Sequence, residues 1–165
     1  MLLDLNQVLI SNLMVQINSD PKAKIDEGLI RHIVLNSIRS YVKQFKSKYG
    51  EIIICCDSKK YWRREVFPFY KNNRRKDRDK SGFDWGLIFE TLNKIRQELK
   101  DHFPYKVLEV EGAEADDIIA VLCGRLAPHE DILIISNDHD FIQLLKYENV
   151  KIFKPTSKIL VERAD

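Results

Sequence analysis

Short β-branched runs alternate with stretches of helical periodicity along this chain. Residues 1–10 form an apolar run interrupted at Asp4 and Asn6, the pattern of a strand leading into a short helix. Asp20-Pro21 marks a loop. Across 25–49, Leu29, Ile30, Ile33, Val34, Ile38 and Val42 recur at three- and four-residue spacing, which predicts an amphipathic helix. Gly50 is placed to close it. Residues 51–56 hold three consecutive isoleucines and predict a buried strand. Asp84 is suited to cap a second long helix over 85–100. Strands are expected at 105–110 and 131–135, the first followed at once by a helix over 115–126 and the second by a short helix near 141–145. Two further short strands are expected at 150–153 and 159–161. Such alternation predicts an α/β fold with a central, mainly parallel sheet, and right-handed crossovers put helices on both faces.

Composition narrows this to one domain. The chain has 165 residues and is 44% hydrophobic, enough for one real core and too short for two ordinary domains. No signal peptide is visible, and no apolar run approaches the roughly 20 residues of a spanning helix. A cytoplasmic protein without a membrane partner is therefore expected, in the host cytoplasm if the chain is viral. Cys55, Cys56 and Cys123 follow no zinc-ligand spacing and are expected to be buried, reduced thiols.

The net charge of +2 conceals a segregation. Residues 59–80 contain ten Lys or Arg against three acids, leaving +7 there and −5 on the remainder. Tyr61, Trp62, Phe67, Phe69 and Tyr70 are mixed into the same stretch, with Pro68 among them. Segment 58–82 therefore reads as part helix, part exposed loop. A basic stripe on an acidic body suits a polyanion, although a solvated charged loop has the same composition.

The acids fall in register with the predicted strands. Asp57 follows the strand at 51–56; Glu114, Asp116 and Asp117 follow the next; Asp138 and Asp140 follow the strand at 131–135. Ligands of open α/β sheets lie beyond the carboxyl ends of the strands, so the fold should gather these acids. Taken singly, each has an ordinary role as a helix-dipole partner, turn residue or cap. Asp4, set between Leu3 and Leu5, is harder to dismiss, because an unpaired carboxylate in an apolar strand is costly. Converging carboxylates repel unless cations sit among them. An all-oxygen donor set suits Mg²⁺ or Mn²⁺ rather than zinc, and two such ions can activate water and stabilise a leaving oxygen.

Five motifs in order then resemble the 5′-nuclease (flap endonuclease) family, bacteriophage RNase H above all. They are Leu2-Leu3-Asp4; Cys56-Asp57 followed by Tyr61-Trp62-Arg63-Arg64; Pro68 to Arg74; Glu114-Ala115-Asp116-Asp117; and Ile134 to Phe141. The resemblance implies a PIN-like three-layer fold, dependence on two or more Mg²⁺ ions with Mn²⁺ as a substitute, and 5′→3′ exonuclease and flap endonuclease activity in primer removal during replication. Asp4, Asp57, Glu114, Asp116, Asp117, Asp138 and Asp140 match the family's metal-cluster acids. Lys71 and Arg63 or Arg64 match basic residues over the scissile phosphate, and 58–82 matches an arch or gateway for a single strand.

On physical grounds Lys71 could counter charge building on phosphoryl oxygens. Tyr61, Trp62, Phe69 or Tyr70 could stack on an unpaired base, with a core-anchor role as the alternative for the aromatics beside Pro68, while Arg74, Arg75, Lys76 and Arg78 supply salt-sensitive phosphate contacts. His139 reads as a turn residue. Expected partners are DNA with 5′ flaps or ends, RNA–DNA hybrids, and a single-strand-binding protein or sliding clamp. Family members continue past this length with a further metal-cluster aspartate and a helical duplex-binding motif; Asp165 does not stand in that aspartate's context. Two other readings stay open: a nucleic-acid-binding module without turnover, and a PIN-type ribonuclease acting on single-stranded RNA.

Overall fold

The computed structural model describes residues 1–20, 24–71, 78 and 80–163. In chain order these form β1 (Leu2–Asp4), α1 (Leu5–Ser19), α2 (Glu27–Tyr49), β2 (Ile53–Cys56), α3 (Trp62–Val66), α4 (Trp85–His102), β3 (Lys106–Glu109), α5 (Ala115–Leu126) and β4 (Ile132–Ile135). A 3₁₀ helix (His139–Lys146), β5 (Val150–Lys154) and β6 (Ile159–Val161) follow. The strands make one six-stranded sheet in the order β3-β2-β1-β4-β5-β6, parallel except where β6 runs antiparallel to β5.

Alternation along the strands divides the core in two. Leu3, Ile54, Cys56, Leu133, Ile135 and Phe153 face α1, α2 and α4. Leu2, Cys55, Ile134 and Ile152 face α5 and the 3₁₀ helix. Because both faces are covered, the central strands read as unbroken apolar runs, and all four residues of β4 are buried. This is the α/β architecture expected, with helices on both sides.

Caps set the helix boundaries. Asp26 accepts from the Leu29 amide at 2.9 Å to start α2, and Gly50 ends it at a φ of 69°, where a side chain would be strained. Asp84 caps α4 through the Leu87 amide at 2.9 Å. Three expectations change. The helix after β1 is not short: α1 runs 15 residues, because Leu5, Val8, Leu9, Leu13 and Ile17 continue one buried stripe. The strands expected at 51–56 and 105–110 are each trimmed to four residues. The element near 141–145 is a 3₁₀ helix of eight residues.

Chain order places the candidate site. From β1 the chain steps outward to β2 and β3, then returns past β1 to β4, β5 and β6. The direction of travel therefore reverses at β1 and β4, the switch point where open sheets leave a crevice. Cys55, Cys56 and Cys123 are buried and unpaired, and burial pushes each thiol up to about 12, which leaves it inert. Among the described residues no helix is long and apolar enough to cross a membrane.

Candidate metal and nucleic-acid site

Four carboxylates reach one open cleft from four different connections. Asp4 ends β1 and caps α1, its Oδ1 accepting from the Gln7 amide at 3.3 Å, and it is only 4% exposed. Asp57, just past β2, accepts the Ala115 amide on Oδ1 at 2.8 Å and the Asn6 side chain on Oδ2 at 3.1 Å. Asp116 stands in the first turn of α5. Asp138 caps the 3₁₀ helix by accepting the Asp140 amide at 3.0 Å. All four line the cleft, and the buried Glu114 lines it beside them.

Proximity shows in the proton affinities of Asp4 and Asp116. Burial, reinforced by the charges of Asp57, Asp116 and Asp138, raises Asp4 from 3.8 to about 7. Asp116 is raised as well, first by burial; Lys71 opposes the rise while Glu114 and Asp57 add to it. Like charges in a poorly solvated cleft favour either a proton or a bound cation.

The Glu-Ala-Asp-Asp motif splits into two environments. Asp117, adjacent to Asp116 in sequence, is turned away and held by Arg63 through two 2.8 Å bonds, Nη1 to Oδ2 and Nη2 to Oδ1. Burial would raise its pKa, but Arg63, the Glu114 amide and the Trp62 indole together bring it below the usual range. Glu114, 1% exposed, accepts from Arg63 at 2.8 Å, Lys71 at 2.7 Å and the Tyr70 hydroxyl at 3.2 Å. This buried carboxylate therefore ties the start of the basic segment to the start of α5. Asp140 is exposed and does not line the cleft.

The basic and aromatic residues divide in the same way. Arg64, Lys71, Arg78 and Tyr61 line the cleft, whereas Arg63 is spent on Asp117 and Glu114. The Arg64 guanidinium lies 4.9 Å above the Tyr61 ring, and that of Arg78 lies 5.3 Å above Phe89. Trp62 is half-exposed and packs against Arg63. Lys71 adopts a left-handed φ of 59°, a strain of about 1–3 kcal/mol of the kind found at functional positions. Arg74, Arg75, Lys76 and Asp165 lie outside the described residues, as do 72, 73, 77 and 79 of the basic segment.

Several lining residues carry no signal in the sequence. Phe89, Asn93 and Arg96 form one stripe of α4 along the cleft, with Lys59 and His139 at its margin. Their spacing marks a helix face, but nothing local says which cleft that face meets. Asn6 and Gln7 are equally silent, because their partners come from the connections after β2 and β4.

Over residues 16–165 the chain matches the family of 5′-3′ exonuclease N-terminal resolvase-like domains. It belongs to that family. The ribonuclease H of Enterobacteria phage T4 is 44% identical over 162 residues, 95% of this chain and 52% of that protein. A 5′-3′ exonuclease of Buchnera aphidicola from Acyrthosiphon pisum is 34% identical, over 78% of this chain and 42% of its own length. The chain thus spans about half the length of these relatives. The fold also matches a bacteriophage T5 flap endonuclease, solved as a pseudo-enzyme–product complex with DNA and metal ions, with a TM-score of 0.75 and 22% identity over 98% of this chain and 57% of that one. A T5 5′-exonuclease with bound zinc superposes with a TM-score of 0.72, at 20% identity over 98% of this chain and 57% of its own.

Within this exonuclease-type domain the donor set fits a hard cation. Among the described residues no three His, Cys, Asp or Glu side chains form a ready cage. Mg²⁺ does not require one, since it keeps several waters and binds through one or two carboxylates. The buried carboxylate of Asp4, pressed by three others, is the feature a cation would relieve.

Proposed function

We propose that this domain is a Mg²⁺-dependent 5′-nuclease, hydrolysing phosphodiesters at 5′ ends and flaps of DNA, or of RNA paired to DNA, during replication. The observation that carries the reading is the set of Asp4, Asp57, Asp116 and Asp138 around one cleft whose rim holds Arg64, Lys71 and Arg78. Family membership supports the reaction class. Because the chain spans half of its relatives, their activities, substrates and partners are carried over here as part of the proposal.

In this reading Asp4, Asp57, Asp116 and Asp138 hold the ions, while Glu114, Asp117 and Asp140 stand outside the ligand set. Bound divalent ions supply a Lewis acid at the phosphate and a nucleophile at neutral pH. Lys71 leaves Glu114 and places its charge against the phosphoryl oxygens, where charge develops in the transition state. Arg64 and Arg78, held on the Tyr61 and Phe89 rings, receive neighbouring phosphates. Tyr61 is placed to stack on an unpaired base once Arg64 is drawn to a phosphate.

The test is cleavage of labelled 5′-flap DNA, RNA–DNA hybrid and single-stranded RNA across a Mg²⁺ titration, with Asp116→Asn and Asp138→Asn beside the parent. Flap and hybrid cleavage that requires Mg²⁺ and is lost in both variants is the expected result. Salt-sensitive binding without turnover at any Mg²⁺ or Mn²⁺ concentration would replace the reading with a binding module. Preference for plain RNA would replace it with a ribonuclease.

A further inference from the structure

The carboxylates are held by a polar network that begins on α1. Gln7 lies in the first turn of that helix, and its backbone amide donates to Asp4. Its side-chain carbonyl reaches across to the connection after β4, accepting the Asn137 amide at 2.9 Å and lying 3.2 Å from the Ser136 hydroxyl. Ser136 is fully buried; its oxygen accepts the Asp138 amide at 3.1 Å and stands 3.4 Å from Asp4 Oδ2. Asn137 is pinned on both sides, donating to Ser11 at 2.9 Å and accepting the Thr156 amide at 3.1 Å.

One side chain thus joins the segment carrying Asp4 to the segment carrying Asp138, although the two are far apart in sequence. The Asn137 amide sits at the end of a buried strand, where an unmatched donor is costly. Gln7 Oε1 is its acceptor. No apolar side chain of equal length can replace that bond. We propose that Gln7 is a positioning residue: its carbonyl fixes the β4 connection against α1 and so sets the spacing of Asp4 and Asp138 for a divalent cation. The inference rests on the proposed metal-dependent function, and it predicts that cation affinity, rather than folding alone, depends on Gln7. Groups that orient metal-binding carboxylates typically account for about 10–100-fold in affinity.

The experiment is Mn²⁺ titration by calorimetry of the parent chain, Gln7→Met, Gln7→Glu and Asn12→Ala, with a thermal melt of each and the Mg²⁺ dependence of flap cleavage. Asn12→Ala is the control, because Asn12 lies on the same helix but bonds to Ser37 and Tyr41, away from the acids. Gln7→Met should weaken Mn²⁺ by about 10-fold or more and raise the Mg²⁺ midpoint by the same factor, with most of the rate restored at saturating Mg²⁺. Gln7→Glu, which keeps an acceptor oxygen, should bind Mn²⁺ at least as tightly as the parent. Asn12→Ala should keep the parent affinity whatever its melting temperature.

Unchanged affinity in Gln7→Met, or an equal loss in Asn12→Ala, overturns the positioning role while leaving the nuclease reading intact. A parent chain that binds no Mn²⁺ overturns both. If Gln7→Met loses its cooperative melt, Ser136→Ala takes its place, since it removes the hydroxyl shared by Gln7, Asp4 and the Asp138 amide. The same loss is expected, and parent-like affinity there again overturns the role.

Discussion

Arg63 and Asp117 face each other through two parallel 2.8 Å hydrogen bonds, from Nη2 to Oδ1 and from Nη1 to Oδ2. Arg63 Nη1 also reaches the buried Glu114 at 2.8 Å, so one guanidinium serves two carboxylates. A bidentate pair of this kind specifies geometry as well as charge. It fixes the root of the basic segment on the N-terminus of α5, and it withdraws Asp117 from the cleft that Asp116 lines.

Adjacent aspartates should therefore behave differently on substitution. Asp116→Asn should abolish high-affinity Mn²⁺ binding, whereas Asp117→Asn should keep it and lower stability instead. Arg63→Met leaves Glu114 buried with fewer partners and should cost about 2 kcal/mol in a urea melt. Calorimetry and denaturation on the three variants separate the two roles. Equal loss of Mn²⁺ binding in Asp116→Asn and Asp117→Asn would show that both bind the ion.

That distinction is not legible in the sequence. Asp4, Asp57, Asp116 and Asp138 are readable as a group because each stands at or after the carboxyl end of a predicted strand, and parallel order sends such positions to one edge. The start of α5 is readable from the acids before Ile118 and Ile119. Adjacent helical residues differ by about 100° in direction, so which aspartate meets the cleft depends on Arg63, and which arginine meets it depends on Asp117. Those partners lie 54 residues apart. The bonds of Gln7 and Asn6 to 137 and 57 are hidden for the same reason. The full length of α1 is obscured because Asp4 and Asn6 break its opening pattern, although the buried stripe continues to Ile17.

Asp4 gives the metal-free protein a definite pH dependence. Its folded pKa of about 7 lies above the ordinary 3.8, so the folded state keeps a proton that the unfolded chain releases. Stability is then unaffected below about pH 4, falls as pH rises through the interval, and reaches its full penalty above about 7. A tenfold change in proton affinity is worth about 1.4 kcal/mol, so the penalty is a few kcal/mol at most. In EDTA, Asp4→Asn should raise the melting temperature at pH 8 and change it little at pH 4. Added Mg²⁺ should stabilise the parent saturably and the variant hardly at all. A melting difference independent of pH would contradict the origin assigned to it.

Thr91 offers a test of the core alone. It is fully buried in α4, and its hydroxyl has no hydrogen-bond partner among the described residues. Thr91→Val keeps the shape and removes the unmet polar group, so stability should rise by about 1 kcal/mol. A urea melt checks this, with flap cleavage expected to stay at the parent level. A loss of stability would mean that the hydroxyl is satisfied in solution.

Lys71 combines a left-handed backbone with a 2.7 Å bond to Glu114. If its charge moves to the phosphate during the reaction, Lys71→Met should lower kcat by about 100-fold or more, the scale of losing one charge-stabilising donor. Its effect on KM should be small, because the ground-state phosphate is held elsewhere. A variant that changed KM alone would make Lys71 a binding residue.

Salt dependence should distinguish the arginines proposed to meet nucleic acid from the one proposed not to. Arg64 and Arg78 line the cleft and rest on aromatic faces, so each is available to a phosphate at small entropic cost. Each phosphate contact adds about 0.7 for a single strand, or about 0.9 for a duplex, to the slope of log affinity against log salt. Arg64→Ala and Arg78→Ala should each reduce the slope for flap DNA by about that amount, measured in EDTA so that no cleavage intervenes. Arg63→Met removes the same formal charge but one already neutralised inside the fold by Asp117 and Glu114. Its slope should stay close to the parent's even though its stability falls. A slope reduced on Arg63→Met as much as on Arg64→Ala would mean that the guanidinium leaves Asp117 to meet the strand, making the ion pair a state of the free protein alone.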